Sequence, residues 1–527
     1  MATPQPPSAR DSRVLADLLA RAIHLHQGGQ WAQAESYYLR LLQAAPGHFD
    51  ALHLLGVARH QQGRSAEALE LIERALLQRP RSPWALSNRG VVLSRIGRQA
   101  DALACFDRVL EIDPEDPEVL NNRGNVLREL KRPIEALASY DGALALKPDY
   151  ADAICNRATA LQDLGRHDEA VTGYARALAL SKDHLDALYN RGAALQALNR
   201  HAEAIASYQR VLALWPDHAD AHWNEALARL AIGDFAEGWK GFEWRWRTSD
   251  AKATRDWPCP LWLGETTLES KSILLYAEQG IGDTLQFVRY APLVAARGAA
   301  VRLAVHRELK TLVAGMAGLE VFGEDDVLPV CDLRCPLLSL PLALGTRLES
   351  IPAEVPYLRA SEEAIARWGR RLPPARRRIG LAWAGNPRHA NDARRSIPLA
   401  ALRPILAAPD VVFVSLQKEM PEADREVLHG EERIIDLAVD FAETAAIMAQ
   451  LDLVICADTA LAHLAGALGK PVWILLPYAA DWRWLVGRED SPWYPTARLF
   501  RQPAPGDWAN VIARVAGELR GQPSTDS

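Results

Sequence analysis

Residues 451–477 read LDLVICADTALAHLAGALGKPVWILLP and predict a strand, a short helix and a second strand in succession. The runs LDLVIC and PVWILL are apolar and are bounded by polar, Gly or Pro residues, as is typical of buried parallel strands. Asp458 and Thr459 open the turn into the helix, and either side chain can cap it. Open α/β sheets bind ligands beyond the carboxyl ends of their strands, so we expect this turn to face a ligand.

Backbone amides make the turn a candidate phosphate site. The N–H groups of Thr459, Ala460 and Leu461 would lack partners within the helix, and the helix dipole favours an anion beside them. His463 lies four residues after Thr459, on the same helix face. The alternative is an ordinary capped helix with a surface histidine, because Asp and Thr caps are common.

The composition is that of a soluble globular protein with roughly two to four domains. The chain has 527 residues, of which 49% are hydrophobic and 24% charged, and its net charge of -6 gives no indication of nucleic-acid binding. The six cysteines form no C-x-x-C pair, which favours buried free thiols in a reducing compartment. Since neither a signal peptide nor an apolar run of about 18 residues is found, we expect a cytoplasmic protein without a membrane span.

The first half of the sequence repeats with a period of 34 residues. Three columns recur at this period: a small residue, a large and mostly aromatic residue, and a proline. Their members are Ala34, Ala68, Ala102, Ala136, Ala170 and Ala204; Tyr38, Ile72, Phe106, Tyr140, Tyr174 and Tyr208; and Pro46, Pro80, Pro114, Pro148 and Pro216. The period and the columns resemble the tetratricopeptide repeat, which implies an α-solenoid of about seven repeats over residues 15–247.

A fourth column consists of asparagine, which is a mediocre helix former and therefore needs another explanation. Its members are Asn88, Asn122, Asn156, Asn190 and Asn224. In the repeat family that this array resembles, the position lines the concave groove, and a similar ladder lines the superhelix of O-linked N-acetylglucosamine transferases. The amides are therefore expected to bind the backbone of an extended peptide. The alternative is a structural ladder in which each amide bonds the neighbouring repeat.

Between the array and the second half, the sequence is rich in tryptophan. Trp239, Trp244, Trp246, Trp257 and Trp262 lie close together, and no Gly/Ser-rich linker is present. Aromatic residues at this density usually pack an interface, so we interpret residues 248–271 as a rigid seam. Residues 1–14 and 521–527 are expected to be disordered ends.

The second half has the pattern of two α/β lobes, over residues 272–375 and 376–520. Strand-like runs alternate with helical stretches at residues 272–277, 300–305, 337–342, 379–385, 411–417, 451–456 and 471–476. Two doubly wound sheets in series would place a cleft between the carboxyl ends of their strands.

The motif EQGIGDT follows the first strand and contains Glu278, Gly280, Gly282 and Asp283. It lacks the third glycine of a dinucleotide fingerprint and the Gly-Lys-Ser/Thr of a P-loop. The two glycines would allow the backbone to approach a ligand closely. Either carboxylate is a candidate general base for an acceptor hydroxyl, and the alternative is a helix cap.

Two further motifs follow strands of the second lobe. WAGNPRHANDARRSIPL contains Asn386 and Arg395, and the fork-shaped Arg donors suit a diphosphate, although a charged loop is usually only solvated. SLQK contains Gln417 and Lys418, and the lysine would neutralise a leaving phosphate or simply lie on the surface. No Asp-x-Asp metal motif occurs in these segments, so no metal cofactor is expected.

Together these motifs resemble the ADP-heptose:lipopolysaccharide heptosyltransferase family over about residues 272–517. GIGD is similar to the family's N-lobe motif, which implies that Asp283 is the acceptor-activating base. DTALAH is similar to DTGLSH, which implies that Asp458, Thr459, Ala460 and His463 bind the nucleotide phosphates. Arg395 stands near the family's phosphate-binding basic residue. Ala460 replaces the family's glycine. Residues 481–495 resemble relatives that are fused to tetratricopeptide arrays more than they resemble the lipopolysaccharide enzymes.

The resemblance implies a two-lobed GT-B glycosyltransferase that transfers a sugar from a nucleotide-sugar donor to a protein acceptor held by the array. Flagellin is one candidate acceptor. Transfer is expected to need no metal and to invert the anomeric centre, since helix N-termini and Arg or Lys can neutralise the leaving diphosphate. The alternative is a non-catalytic adaptor whose α/β half only binds a nucleotide sugar.

Overall fold

The computed structural model describes residues 9–249, 258–387, 391–437 and 439–521. Trp257, residues 1–8 and residues 522–527 lie outside the described parts, so the sequence predictions made for them stay predictions. The chain divides into two compact units between Ala194 and Leu195.

Helices occupy nearly all of the described chain before residue 243. Ten of them belong to the first unit: α1 (Ala9–Gln27), α2 (Trp31–Ala44), α3 (Phe49–Gln61), α4 (Ser65–Gln78), α5 (Pro83–Arg95), α6 (Gln99–Leu110), α7 (Pro117–Glu129), α8 (Pro133–Leu146), α9 (Ala151–Asp163) and α10 (His167–Leu180). Helix α11 (Leu185–Ala197) spans the division, and α12 (His201–Leu214), α13 (Ala219–Ala231) and α14 (Phe235–Phe242) belong to the second unit. The predicted α-solenoid of helix pairs is confirmed.

The small and aromatic columns form the core of the repeats. Ala34, Ala68 and Ala102 are completely buried. A methyl group added to Gly90 would lie 2.8 Å from the ring of Phe106, so this glycine lets the aromatic side chain pack against the backbone of α5. The recurring period thus encodes close contact between the two helices of each repeat.

Helix α1 begins at Ala9, so residues 9–14 of the end predicted to be disordered are helical, while the prediction for residues 1–8 stays a prediction. Leu15 and Leu18 are partly buried, and Ala22 and Leu25 are buried in a cluster with residues of α2 and α3. These residues recur at the spacing of one helix face, which gives the first helix a packed side. The prediction failed because the polar, proline-containing start of the chain masked this pattern.

Two parallel sheets make up the second half, which confirms the predicted two-lobed α/β fold. The first sheet has the order β3-β2-β1-β4 and contains β1 (Ser272–Tyr276), β2 (Ala300–Val305), β3 (Glu320–Gly323) and β4 (Leu333–Pro336). The second has the order β10-β9-β8-β5-β6-β7 and contains β5 (Arg377–Ala382), β6 (Val411–Ser415), β7 (Ile434–Asp436), β8 (Leu453–Ala457), β9 (Val472–Leu476) and β10 (Ala497–Arg501).

The helices of the two lobes are mostly short. They are α15 (Ile281–Phe287), α16 (Ala291–Ala295), α17 (Lys310–Val313), α18 (Leu340–Ala343), α19 (Glu362–Arg371), α20 (Asp392–Arg395), α21 (Arg403–Leu406), α22 (Glu422–His429), α23 (Phe441–Ala449), α24 (Ala460–Ala467) and α25 (Trp508–Leu519). Residues 337–342, predicted as a strand, are helical, and the strand lies just before them in β4. A short apolar run does not distinguish a buried strand from a buried helix.

Two of the tryptophans before the first sheet pack into a core. Trp239 and Trp262 are buried in the core of the second unit. The ring of Trp239 meets that of Trp482 edge-on, with 5.3 Å between their centroids. Helix α14 therefore shares a core with the α/β lobes, while the boundaries 248–271 stay a prediction because residues 250–257 are not described.

Candidate functional site

Three of the predicted binding loops leave neighbouring strands at the same edge of the second sheet. Strand β5 pairs with β6 on one side and with β8 on the other, all in parallel. Asn386 and Arg395 follow β5, Lys418 follows β6, and Thr459 follows β8. The order of the strands thus brings these loops to one edge.

Thr459 caps helix α24 through its side chain. Its Oγ1 accepts a hydrogen bond from the backbone N–H of Leu461 at 3.3 Å. This bond removes Leu461 from the three amides predicted to contact phosphate, because its N–H is already used. The N–H groups of Thr459 and Ala460 stay the predicted contacts at this helix end.

Arg395 lies beside the end of β8. Its Nη1 donates to the backbone carbonyl oxygen of Asp458 at 3.2 Å. A methyl group on Gly385 would lie 2.7 Å from the Arg395 Nη2, so the glycine lets the guanidinium lie over the backbone after β5. The carboxylate of Asp392 lies 3.5 Å from Nε of Arg395. Asn386, in the same loop, is exposed.

Asp458 is a carboxylate whose ionisation is disfavoured by its surroundings. Burial, together with the nearby charge of Asp481, raises the pKa of Asp458 to about 6. Near pH 6, a phosphate bound at this helix end would therefore lie close to an Asp458 side chain that is about half protonated. The nearby guanidinium groups of Arg395 and Arg483 act in the opposite direction and favour the charged form.

Gln417 is not free to contact a ligand, which corrects its predicted role. Its Oε1 accepts from the N–H groups of Trp383 and Ala384, both at 3.1 Å. Its Nε2 donates to the carbonyl oxygens of Ala384 at 2.8 Å and Glu419 at 2.5 Å. The buried amide therefore ties the ends of β5 and β6 together. Lys418, the next residue, is exposed.

His463 is buried, so it is not the surface histidine of the capped-helix alternative, and its contact with phosphate stays a prediction. Its Nδ1 shares a hydrogen bond of 2.9 Å with the Tyr494 hydroxyl, and its ring stacks on Trp484. Burial, together with nearby Arg483, lowers the pKa of His463 well below its usual value, so the ring is neutral. A neutral, stacked imidazole offers no positive charge to a phosphate.

Asp283 caps helix α15 and reaches the second lobe. Its Oδ2 accepts the backbone N–H of Gly280 at 2.9 Å, so the predicted capping role is realised. A methyl group on Gly282 would lie 3.0 Å from the imidazole of His463, so Gly282 allows α15 to pack closely against α24. The loop of the candidate base and the helix of the candidate phosphate site are therefore in contact.

Arg483 was not predicted as a site residue, yet it contacts both lobes. Its Nη2 donates to Oδ1 of Asp283, its Nη1 to Asp481 at 2.9 Å and its Nε to Gln286 at 2.7 Å. The sequence offered one signal, an arginine between two tryptophans.

Glu278, the second candidate base, is buried beside Arg245. Only 5% of its side chain is exposed, and its Oε1 lies 3.2 Å from Nη2 of Arg245. Burial raises the pKa of Glu278 to about 7, against the lowering effect of the Arg245 guanidinium. Arg245 also donates to Glu243 and Ser339. This packing favours a structural role for Glu278 over that of a base exposed to an acceptor.

Two members of the asparagine column bond the preceding repeat, as the structural alternative predicts. In the first unit, Asn156 Nδ2 donates to Oδ1 of Asn121 at 2.9 Å. Asn88 Nδ2 lies 2.8 Å from Nε2 of His53. Each bond engages one end of the amide and leaves its carbonyl oxygen for other partners. Peptide binding by this column stays a prediction.

A small cavity of about 110 Å³ lies beyond the ends of β9 and β10. It is lined by Asn199, Ala231, Tyr478, Ala480, Asp481, Leu485, Val486, Gly487 and Arg501. The Asn199 amide donates to the Tyr478 carbonyl oxygen at 2.8 Å, so the turn before α12 forms one wall. Asp481 joins this cavity to the Arg483 contacts.

Three further observations concern the described residues. The six cysteines are buried and unpaired, as predicted. In the described parts of the chain, no three His, Cys, Asp or Glu side chains are grouped to hold a metal ion. Within those same parts, no helix is both long enough and apolar enough to cross a bilayer.

Family comparisons agree with both halves of this architecture. The tetratricopeptide repeat model matches residues 51–115, 88–151 and 149–217, and the model for glycosyltransferase family 9 (heptosyltransferase) matches residues 407–479. The chain thus combines segments similar to tetratricopeptide repeats with a segment similar to part of a glycosyltransferase family 9 domain. The second match includes DTALAH and β6 to β9, whereas Asp283 lies outside it.

Among curated proteins, the chain is 30% identical to Protein FlbA of Caulobacter vibrioides over 320 residues. This alignment includes 55% of the chain and 53% of FlbA, so the chain spans about half the length of the curated relative it matches.

Many solved structures are similar to part of the chain, among them the following two. One is a tetratricopeptide repeat protein from Parabacteroides merdae, with 19% identity, a TM-score of 0.39 and coverage of 46% of this chain and 95% of that one. The other is pilF of Pseudomonas aeruginosa, with 19% identity, a TM-score of 0.37 and coverage of 42% and 99%.

Proposed function

We propose that the protein is a glycosyltransferase that moves a sugar from a nucleotide-sugar donor to a protein acceptor bound by the repeats. The observation that carries the proposal is the packing of the Asp283 loop against helix α24, within a chain that matches glycosyltransferase family 9. Donor phosphates would bind at Arg395, Lys418 and the Thr459 turn. The acceptor hydroxyl would approach from the first lobe.

In this mechanism Asp283 removes the proton of the acceptor hydroxyl as the oxygen attacks the anomeric carbon. The bond from that carbon to the nucleotide diphosphate breaks, and the diphosphate leaves with the electron pair. The amides of Thr459 and Ala460 and the guanidinium of Arg395 stabilise the developing negative charge. Attack from the face opposite the leaving group inverts the anomeric centre.

The test is transfer to a protein acceptor by the full chain. The purified protein is incubated with a panel of nucleotide sugars and candidate acceptors, flagellin first, and the acceptor mass is measured. We expect a mass gain of one glycosyl residue, unchanged by EDTA and lost in Asp283→Asn. NMR of the product glycan would identify the inverted anomer. No mass gain with any donor, despite donor binding, would favour the alternative of a non-catalytic adaptor.

That alternative is a non-catalytic adaptor, and one observation supports it. Both oxygens of Asp283 already have partners, one in Gly280 and one in Arg483. A carboxylate used only as a cap and ion-pair partner would need no catalytic role. A carboxylate, however, accepts about four hydrogen bonds, so two partners leave room for an acceptor hydroxyl.

A further inference from the structure

We infer that Arg483 is a positioning residue, which fixes the orientation of the Asp283 carboxylate and the approach of the two lobes at the cleft. This inference rests on the proposed function, since it gives Arg483 a role in transfer that acts through Asp283.

The guanidinium of Arg483 donates hydrogen bonds to three side chains from two parts of the chain. Asp283 and Gln286 lie three residues apart on α15 and present one face to Arg483. Asp481 belongs to the segment that follows β9 in the second lobe. Arg483 belongs to this same segment, so two of its three contacts join α15 to the segment and the third fixes the guanidinium within it. A planar fork makes these contacts together, which a single point charge does not achieve.

Arg483 stays positively charged although its side chain is buried. The side chain is only 11% exposed, and burial alone would lower its pKa. The carboxylates of Asp481 and Asp283 outweigh burial and raise the pKa of Arg483. The guanidinium is thus a permanent positive charge held between carboxylates, and the ring of Trp482 lies 4.5 Å from it.

The Asp283 carboxylate is restrained in its rotation by partners on both of its oxygens. One carboxylate oxygen is fixed by the Gly280 N–H, and the other by Arg483. With both oxygens fixed, the carboxylate has one orientation, and its remaining lone pairs point in defined directions. Reactions between bound groups depend strongly on such geometry, and a misplacement of about 1 Å can cost about 10²-fold in rate.

The experiment compares Arg483→Gln and Arg483→Lys with wild-type protein and a matched control, Arg488→Gln. Arg488 lies in the same segment and pairs with Asp490 at 2.6 Å, away from Asp283. Initial transfer rates give kcat and the acceptor KM, calorimetry gives the donor Kd, and thermal unfolding gives Tm.

We expect Arg483→Gln to lower kcat by at least about tenfold, with the donor Kd within about twofold of the wild-type value. Arg483→Lys should recover part of kcat, because an ammonium can replace one of the three contacts. Arg488→Gln should behave as wild type. The double variant Asp283→Asn, Arg483→Gln should be no slower than Asp283→Asn alone, because residues that act as a unit are non-additive.

Several results would overturn the inference. An unchanged kcat in Arg483→Gln would leave Arg483 without a part in transfer, while the proposed function would stand. A rise in donor Kd at constant kcat would make Arg483 a donor contact. A further drop of the double variant below Asp283→Asn would mean that Arg483 acts independently of Asp283. Wild-type protein that binds donor but transfers nothing would overturn both the proposed function and this inference.

Discussion

Arg395 and Asp458 are joined by a hydrogen bond of 3.2 Å from Nη1 of the guanidinium to the backbone carbonyl oxygen. The bond places a permanent positive charge beside the turn that opens helix α24. It also connects the loop after β5 to the end of β8, two neighbouring strands of the second sheet. A donor phosphate bound at that turn would therefore meet both a cation and helix amides.

The first prediction is that Arg395→Ala weakens donor binding. Loss of a charge-assisted hydrogen bond typically costs about 1.5 to 3 kcal/mol, so the donor Kd should rise by about 10- to 150-fold. Calorimetry with a nucleotide sugar measures this change. Arg394→Ala is the matched control, because Arg394 lies in the same short helix but is exposed. Equal effects of the two substitutions would contradict a specific phosphate contact.

The second prediction is that Asp283→Asn lowers turnover by at least about 10² while the donor Kd changes little. Asparagine keeps the shape and can still cap α15, so the folded structure should survive. Acceptor mass measured over time gives the rate. If Asp283 is only a cap, the substitution costs a few tenths of a kcal/mol and turnover stays near normal.

The third prediction concerns the asparagine column. Changing Asn122, Asn156 and Asn190 together to Ala should slow transfer to a full-length acceptor while leaving hydrolysis of the donor unchanged. Asn121→Ala is the control, because it removes the partner of Asn156 but leaves the column itself intact. Unimpaired transfer by the triple variant, with a lower Tm in both proteins, would assign the column to repeat packing.

The fourth prediction is a pH dependence of stability that depends on Glu278. Its pKa is about 7 in the folded protein against 4.5 for an ordinary glutamate, so the folded chain binds this proton more tightly. The free energy of unfolding should then fall as pH rises from about 4.5 to about 7, by up to about 3 kcal/mol from this group.

Urea unfolding at pH 5, 6, 7 and 8, followed by tryptophan fluorescence, tests this slope. Glu278→Gln should reduce it, and Asp458, whose pKa is about 6, should leave a smaller slope of the same sign. Glu354→Gln is the control, because Glu354 is exposed. A slope that persists in full after Glu278→Gln would refute the prediction.

The fold was largely predictable because its signals are periodic or local. The columns at 34 residues imply stacked helix pairs, and runs such as LDLVIC imply buried parallel strands. The edge strands β3, β7 and β10 were not predicted. Strands β3 and β7 are short and partly exposed, and Arg498 and Arg501 interrupt the apolar run of β10. The prediction for residues 337–342 failed for a different reason, because a short run of four leucines with one proline fits either a strand or a buried helix.

The site was only partly predictable because its key contacts join residues far apart in the chain. The order of strands β8, β5 and β6 follows from a doubly wound sheet, and it brings Arg395 near Asp458. The pairing of Asp283 with Arg483 spans 200 residues and has no local signature. The burial of His463 under Tyr494 and Trp484 likewise depends on tertiary packing.

The Arg245 cluster has a consequence for how such chains can be recombined. Arg245 follows the last repeat helix and holds Glu278 at the end of the first strand of the sheet. A chimaera that replaced this repeat would leave the Glu278 carboxylate buried without its counter-charge, at a cost of several kcal/mol. A foreign array joined to this α/β half would therefore have to preserve helices α12 to α14 and the arginine after them.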